Sequence, residues 1–406
     1  MYFRPAALLA LALSLGYSSL ARTAAPAIQT EDPLQNPGFV HFYNLEYDQA
    51  LADFEQQRAA CPNDPKVYND IAQTVLFREM FRDGALESQL VTGNNPFLRR
   101  PKMKISEQNR EKFDGAINRA IELSRGRLQK NPRDVMALYD LVVAHGLRAN
   151  FLFLVDKAWL DALHEATEAR KANDKILAIA PHFIDAHLAS GMSEYIVGCL
   201  PMYMRVLGKL RGFHGDKEDG IRQIERVSKA GTLDRYDASI LLAAIYRREH
   251  RPRKAIALLE DLTNTFPRNY LLRFEQVQMY SDLGDKDAAL KVLAEIKYLH
   301  DTESPGYKNL PAERIQYAKG NLLFWYGDLD PALADLKQVT RKANDLDLNT
   351  AVMAWLRLGQ VYDLKGEHSQ AVEAYRETLK TAPKSAPATE AEGYISNPYR
   401  RKSPAA

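Results

Sequence analysis

The feature that most constrains the fold of this 406-residue chain is a pattern of bulky, small and aromatic residues that recurs along it. Its clearest copy is AWLRLGQVYDLKGEHSQAVEAYRETLKTAP, residues 354–383. Three- and four-residue spacing places one set of residues on a single helical face: Trp355, Leu358, Gly359 and Tyr362. Gly366 can take the positive φ that ends such a helix. A second helix then runs to Pro383, so the stretch predicts two antiparallel helices.

The second helix supplies the other half of the helix–helix contact. Ala371 and Tyr375 share one of its faces. Gly359 and Ala371 have little or no side chain where the backbones approach, and large side chains fill the surrounding groove. These positions resemble the tetratricopeptide repeat, and they depart from its motif at Thr378, where alanine is preferred. The resemblance implies an all-α, right-handed superhelical solenoid of antiparallel helix pairs.

Further copies of the pattern precede this one. Their repeat positions fall at the same offsets: Tyr246, Ala255 and Pro267 in one copy, and Tyr280 and Ala289 in the next. Gly320 and Gly327 belong to a looser copy, whereas Gly38, Ala50 and Phe54 mark a degenerate first repeat. A single helix pair cannot bury its apolar face alone, so neighbouring pairs must stack into one continuous core.

These patterns divide the chain into five segments. We expect a signal peptide over 1–21, a flexible N-terminus over 22–35, an irregular tetratricopeptide-like region over 36–235, regular repeats over 236–383 and a disordered tail over 384–406. The tail is rich in Pro, Ala and Ser, a composition typical of disorder. A solenoid normally ends in a polar capping helix. The last apolar face should therefore be covered by residues 394–399, by a second copy in a weak homo-oligomer, or by a client.

The N-terminus has the order of a secretory signal. Arg4 precedes an apolar run over residues 6–15, and small residues follow around Ala21. This order is typical of an exported chain, with cleavage expected after Ala21 or, as a second choice, after Ala25. The alternative is an uncleaved anchor, although the apolar run is short for a membrane span. We expect the protein in the periplasm or outside the cell.

The middle of the chain departs from the simple repeat. One segment resembles the tetratricopeptide family that includes the fungal mitochondrial outer-membrane protein of inclusion-body clearance. The matching residues are Gly212, Phe213, Gly215, Asp216, Gly220, Ile221 and Ile224. This resemblance implies a related architecture, and it does not imply a shared biological role.

Composition and motifs argue against several functions. Lys and Arg total 54 against 52 acidic residues, so no strong field favours nucleic acid. Nucleophile-elbow, Walker, dinucleotide and HExxH patterns are absent from the sequence. His182 and His187 are spaced poorly for metal binding on a helix. We therefore expect no catalytic residue, metal or cofactor. Cys61 and Cys199 are interpreted as two separate buried thiols, although one disulfide stays possible.

Two surface features remain open to two interpretations. The apolar hairpin over residues 195–212 is interpreted as a buried pair of helices, with peripheral membrane contact as the alternative. Basic clusters at residues 97–104, 246–254 and 399–402 are interpreted as solvated turns, with recognition of an acidic peptide, lipid or polymer as the alternative.

The resemblance also implies where a partner binds. In tetratricopeptide solenoids the first helix of each pair lines the concave surface. The candidate groove residues are Ile240, Arg247, Phe274, Gln278, Tyr317, Asn321, Phe324 and Gln360, with Asp363 beside them. Aromatic anchors and amides suit an extended peptide. We expect a non-enzymatic scaffold for a protein or peptide client in the cell envelope. The alternatives are an accessory, substrate-capturing component of envelope transport and a peripheral membrane adaptor.

Overall fold

The computed structural model describes residues 28, 30–84, 86, 103–200, 215–383 and 385–401. The predicted signal peptide and residues 201–212 of the apolar hairpin lie outside these ranges. Within them the chain is an all-α solenoid with no strand. Its helices in chain order are α1 Pro37–Tyr43, α2 Tyr47–Ala60, α3 Pro65–Arg82, α4 Glu107–Lys130, α5 Val135–Phe151, α6 Trp159–Ile179, α7 Ala186–Gly198, α8 Lys217–Ala230, α9 Arg235–Arg248, α10 Pro252–Thr265, α11 Tyr270–Leu283, α12 Lys286–Asp301, α13 Ala312–Tyr326, α14 Leu329–Arg341, α15 Leu348–Leu364, α16 His368–Thr381 and α17 Ala386–Ser396.

Many helix ends follow directly from local sequence. Asp134 precedes α5 and accepts a hydrogen bond from the backbone N–H of Ala137 at 3.0 Å. Such a cap satisfies one of the N–H groups that a helix leaves free at its start. Gly284 and Gly327 follow α11 and α13 with φ of +85° and +90°. Glycine adopts this left-handed conformation without the steric cost that other residues meet.

Paired helices approach most closely at one repeat position. A Cβ built on Gly359 would lie 2.4 Å from the ring of Tyr375, and one built on Gly38 would lie 2.6 Å from the ring of Phe54. In both pairs the aromatic residue follows the glycine by sixteen positions. A residue with a side chain does not fit there unless the ring moves. The first and last pairs therefore share one contact, although the first was predicted only as a degenerate repeat.

The alanine positions of the pattern lie in the same interfaces. Ala50, Ala255, Ala289, Ala332 and Ala371 are all fully buried. Tyr375 is also fully buried, whereas Trp355 is only partly buried at the edge of the C-terminal core. Pro267 and Pro383 are exposed just beyond the ends of α10 and α16. The small residues thus set the helix–helix distance, and the prolines only end the helices.

The N-terminal half curls back on the middle of the chain, which the repeat pattern did not predict. The rings of Tyr43 and Phe266 stack with their centroids 4.9 Å apart. Asn269 donates a hydrogen bond from Nδ2 to the Tyr43 carbonyl oxygen at 2.8 Å. Arg268 pairs with Glu46, with 2.8 Å between Nε and Oε1. The end of α1 therefore rests on the loop between α10 and α11.

Glycines also bring α7 and α8 together in the irregular middle. A Cβ on Gly220 would lie 2.6 Å from the backbone of Gly191 and of Tyr195. Asp216 caps α8 by accepting from the Asp219 N–H at 2.8 Å, and Ile221 and Ile224 of α8 are buried. Residues that carry the middle-segment resemblance thus serve helix packing, whereas Gly212 and Phe213 lie outside the described residues.

The prediction of a disordered tail over 384–406 is wrong for the part that the structure describes. Residues 386–396 form α17, whose first turn contains Pro387. Ser385 caps it by accepting from the Ala388 N–H at 3.2 Å. Ala388 and Ala391 are buried, and the ring of Tyr394 lies 5.6 Å from that of Tyr375. A Pro- and Ala-rich segment folds here because its small residues fit against α15 and α16, which gives the solenoid its cap.

Two further observations concern single side chains and one helix. Cys61 and Cys199 are both free thiols, and Cys61 is exposed, which corrects the expectation of two buried thiols. The stretch Val135–Asp156 comprises α5 and the π-helical turn after it, and it is long and apolar enough to cross a membrane by length and composition alone. Half of that stretch is buried in the fold, as is usual for a core helix.

Candidate functional site

The first four predicted groove residues lie on α9 and α11. Arg247 is buried and reaches from α9 to α11, where Nη1 lies 3.2 Å from Glu275 Oε2 and Nη2 donates to Gln278 Oε1 at 3.2 Å. Phe274 and Ile240 are partly buried. The structure thus brings Arg247 and Gln278 into contact with each other. This contact joins neighbouring repeats.

The other four predicted groove residues lie on α13 and α15, and all four are buried: Tyr317, Asn321, Phe324 and Gln360. Phe324 is 0% exposed. The Tyr399 ring lies 6.0 Å from the Phe324 ring, and Arg401 donates a hydrogen bond to the Phe324 carbonyl oxygen. This burial corrects the prediction of an open aromatic anchor at Phe324, because the chain's own C-terminal residues cover the wall.

Arg357 is the charged group at the centre of this wall. Its side chain is buried, and its guanidinium lies 4.6 Å from the Phe324 ring centroid and 4.8 Å from that of Trp325. Nη1 donates to Gln360 Oε1 at 2.6 Å. Among the described residues, Arg357 forms no ion pair and its Nε has no hydrogen-bond partner. Burial lowers the pKa of Arg357. A buried guanidinium whose Nε lacks a hydrogen-bond partner suits a carboxylate.

Asp363 fastens the C-terminal segment, residues 397–401, to α15. Its side chain is fully buried. One carboxylate oxygen accepts hydrogen bonds from the Tyr375 hydroxyl and from the Tyr399 backbone N–H, each at 2.7 Å. The other lies 2.7 Å from His368 Nδ1, and this hydrogen bond raises the pKa of His368. Asp363 therefore joins α15, α16 and the C-terminal segment at one point.

A second candidate site lies where the N-terminal half curls back. A partly open cavity of ≈230 Å³ is lined by α3, α5, the start of α9 and the segment that leads into α1. Part of its lining is apolar, from Pro33, Phe39, Val143, Leu147 and Leu233. The rest is strongly acidic, with Glu31, Asp70, Asp140, Asp234 and Asp237. Lys66 is the basic residue that lines it.

The acidic residues of this cavity are drawn from separate elements. Lys66 Nζ lies 2.6 Å from Asp70 Oδ2. The Tyr139 hydroxyl donates to Asp234 Oδ1 at 2.6 Å. Asp140 is 3% exposed, and its Oδ2 lies 3.8 Å from Arg127 Nη1. The carboxylates therefore outnumber the cations that approach them.

Burial governs the protonation of these carboxylates. It raises the pKa of Asp140 to about 8, with Asp64 adding to the shift and Arg127 opposing it. It raises the pKa of Asp237 to about 6 and also raises the pKa values of Asp70 and Asp234. Removing a carboxylate from water penalises its charged form. The cavity therefore holds protons near neutral pH.

The most informative groups of both sites were not predicted. Arg357 and Asp140 were not among the candidates, and neither was Asn69 beside Asp70. A usable signal exists in the sequence, since Asp140 interrupts MALYDLVVAHG and Arg357 interrupts AVMAWLRLGQV. Charged residues inside apolar helical runs are seldom buried without a partner. Spacing alone, however, does not show that α3, α5 and α9 meet around one cavity.

The prediction of solvated turns holds for only part of the described basic clusters, because Arg247 of the second cluster is buried and Tyr399 and Arg401 of the third pack against Phe324. Arg251 forms an ion pair with Glu218, and Lys254 Nζ lies 3.1 Å from Glu225 Oε1. Residues 97–102 of the first cluster lie outside the described residues. The described cations of the second cluster are thus partly neutralised by neighbouring helices.

Comparison with known proteins identifies the repeat. Residues 317–386 match the tetratricopeptide repeat model. No curated protein matches the sequence. Among solved structures, the crystal structure of yeast Tom70 has a TM-score of 0.39 and 12% identity over 90% of this chain and 88% of that one. A human IFIT1 dimer with PPP-AAAA has a TM-score of 0.43 and 14% identity over 84% of this chain and 70% of that one. At these values the two likenesses carry no argument about function. The chain thus contains tetratricopeptide repeats from α13 to the start of α17.

Proposed function

We propose that this chain is an exported, non-enzymatic scaffold that binds an extended segment of a protein or peptide partner on its inner surface in the cell envelope. The tetratricopeptide repeats support a role as a protein-interaction scaffold. The order of charged, apolar and small residues over 1–21 supports export.

The observation that carries the proposal is the chain's own C-terminal segment. Residues 397–401 follow α17 without helical structure and cross the wall formed by α13 and α15. They contribute a backbone hydrogen bond from Tyr399 to Asp363, an aromatic contact to Phe324 and a guanidinium hydrogen bond from Arg401. Extended peptide ligands use the same combination of backbone hydrogen bonds and side-chain anchors.

The wall also indicates the chemistry of the partner segment. An aromatic side chain of the partner would take the place of Tyr399 against Phe324. A partner carboxylate would reach Arg357, which forms no ion pair within the described residues. Arg recognises carboxylates with two parallel hydrogen bonds, which fixes orientation as well as affinity. The proposed partner segment is therefore aromatic and acidic.

Truncation of the C-terminal segment tests this proposal. A chain that ends at Ser396 keeps α17 and uncovers the wall. A fluorescein-labelled peptide of residues 393–406 should bind the truncated chain at least about tenfold more tightly than the full chain, as measured by fluorescence anisotropy. The truncated chain should also capture more envelope proteins in crosslinking and mass spectrometry.

Point variants and a localisation measurement complete the test. Asp363→Asn in the truncated chain should weaken the peptide, because the Tyr399 N–H loses a charged acceptor. Asp345→Asn, at an exposed position in the turn before α15, should leave the peptide affinity unchanged. A truncated chain that is folded but does not bind the peptide would contradict the binding proposal. Recovery of the native protein from the cytoplasm with residues 1–21 intact would contradict export.

A further inference from the structure

We propose that the cavity of the N-terminal half binds an aliphatic amine cation, of the kind carried by linear diamines and lysine side chains. The cavity is built by α3, α5, α9 and residues 31–39. The wall described above is built by α13 and α15. The inference does not depend on the proposed peptide-binding function.

The first support is an imbalance of charge in the cavity. Glu31, Asp70, Asp140, Asp234 and Asp237 line it, and Lys66 is the basic residue among them. Lys66 is already engaged by Asp70 at 2.6 Å. Each aspartate has a partner, but those of Asp234 and Asp237 are neutral side chains, and burying a carboxylate without a nearby cation is costly. A guest cation would relieve that cost.

The second support is an independent orphan acceptor. Asn69 lines the cavity and is 2% exposed. Its Nδ2 donates to the Asp140 carbonyl oxygen at 2.9 Å, which fixes the amide's orientation. Its Oδ1 has no hydrogen-bond partner among the described residues. A buried polar atom without a partner is rare in proteins, and an ammonium N–H would satisfy this one.

The cavity's remaining lining selects an organic cation. Val143, Leu147 and Leu233 present apolar surface beside the carboxylates. The described residues contain no group of His, Cys, Asp or Glu side chains placed to hold a metal ion. At ≈230 Å³ the cavity is smaller than a typical drug-sized pocket of about 300–1,000 Å³. A short methylene chain that ends in an ammonium fits this combination of size, apolar wall and acceptors.

Binding should be coupled to proton release. The titratable and charged groups around the site are Glu31; Asp64, Lys66 and Asp70 near and on α3; Tyr139 and Asp140 on α5, with Arg127 of α4; and Asp234 and Asp237 at α9, with Tyr43 and Asp185. The Asp140 carboxyl holds its proton up to about pH 8. The amine is already charged there, so binding requires that carboxyl to lose its proton. The affinity should therefore rise with pH.

Calorimetric titration with cadaverine tests the inference on the full chain. Binding should be detected at pH 8 and should weaken by up to about tenfold per pH unit between pH 8 and pH 6, because the Asp140 proton competes with the guest. A pH-stat should record proton release on binding. Pentanol, which has the stem without the charge, should not bind. The peptide acetyl-Gly-Lys-Gly-amide distinguishes the two sources of the amine. Binding of this peptide would indicate that the site takes a lysine side chain, whereas binding of cadaverine but not of the peptide would indicate a free diamine.

Two matched glycine variants locate the site. Gly146 lies on α5 in the cavity lining, and a Cβ added there meets nothing within 4 Å. Gly146→Leu should fill the cavity without destabilising the helix and weaken cadaverine by more than about tenfold. Gly115→Leu, at an exposed and equally open position of α4, should leave the affinity unchanged.

The outcomes against the inference are equally definite. Absence of cadaverine binding at pH 8, affinity that falls as pH rises, or equal affinity of Gly146→Leu and wild type would each overturn it. Should Gly146→Leu fail to fold, Asp140→Asn serves instead, because it removes a charge without adding volume. Cadaverine affinity unchanged in Asp140→Asn would then overturn the inference.

Discussion

The first and last helix pairs share one internal contact but have inner walls of opposite character. In α1–α2, Gly38 meets Phe54, and in α15–α16, Gly359 meets Tyr375 at the same spacing. The N-terminal inner wall is closed by the chain curling back around an acidic cavity. The C-terminal inner wall is closed by the last residues of the chain over buried Arg357. Pair geometry is thus a local property, whereas the character of the inner wall depends on distant segments.

Removal of the aromatic ring that contacts the glycine in each pair should have the largest effect and tests whether the two pairs are packed alike. Phe54 and Tyr375 are both 0% exposed. Phe54→Ala and Tyr375→Ala should each lower the free energy of unfolding by about 3–5 kcal/mol through lost burial and a residual cavity. Urea denaturation followed by circular dichroism measures this change. Tyr298→Ala, on an exposed position, should change it by less than about 0.5 kcal/mol. A Phe54→Ala cost far below that of Tyr375→Ala would show that the first pair is loosely packed.

Added bulk at the close-contact glycines should have a smaller effect. Gly38→Ala and Gly359→Ala place a Cβ against a fully buried ring and should each cost about 1–3 kcal/mol of stability. Gly115→Ala, also inside a helix but with open space around its Cβ, should stabilise the protein by about 0.5–1 kcal/mol. Thermal melting of the three variants compares them directly. Equal melting temperatures would argue against close packing at both positions.

The pH dependence of stability probes the acidic cavity of the N-terminal half. Burial raises the pKa of Asp140 to about 8 in the folded protein, whereas the unfolded side chain titrates near about 4. The folded state therefore holds a proton that the unfolded state has lost. Stability should fall as pH rises through this window, by at most about 1.4 kcal/mol per pH unit from this group.

Asp140→Asn should flatten the dependence of stability on pH between pH 6 and pH 8. This range lies above the pKa of about 6 of Asp237, so Asp237 contributes little to the slope there. Urea midpoints at pH 6, 7 and 8 measure the slope. Asp261→Asn, on the exposed surface, should keep the wild-type slope. An identical slope in Asp140→Asn would show that its carboxyl is ionised throughout the range.

The sequence predicted the architecture well because its strongest signals are local. Glycine and alanine positions, helix caps and terminating prolines act within one pair of helices, and the structure places them as expected around Gly359 and Ala371. The groove predictions were less accurate because they used only the same local signals. Gln360 and Phe324 do lie on one wall, but the register of a helix does not reveal what covers it.

The tail shows why composition was a poor guide at the C-terminus. A segment rich in Pro, Ala and Ser is typically disordered only when it has no surface to pack against. Ala388 and Ala391 are buried where α17 packs on α15 and α16. The disorder prediction considered only the composition of residues 384–406. The folding of this segment depends on the apolar faces of the preceding repeats, against which α17 packs.

By itself, the sequence determined where the helices of the repeats form and end and how close the two members of a pair can approach, because these depend on residues a few turns apart. Only the tertiary structure decided which segments close the inner walls. Tyr43 contacts Phe266, and Tyr399 contacts Asp363. These residues are too far apart in sequence for helical periodicity to predict the contacts. Small rotations between successive pairs accumulate along a solenoid, and their sum places those partners together.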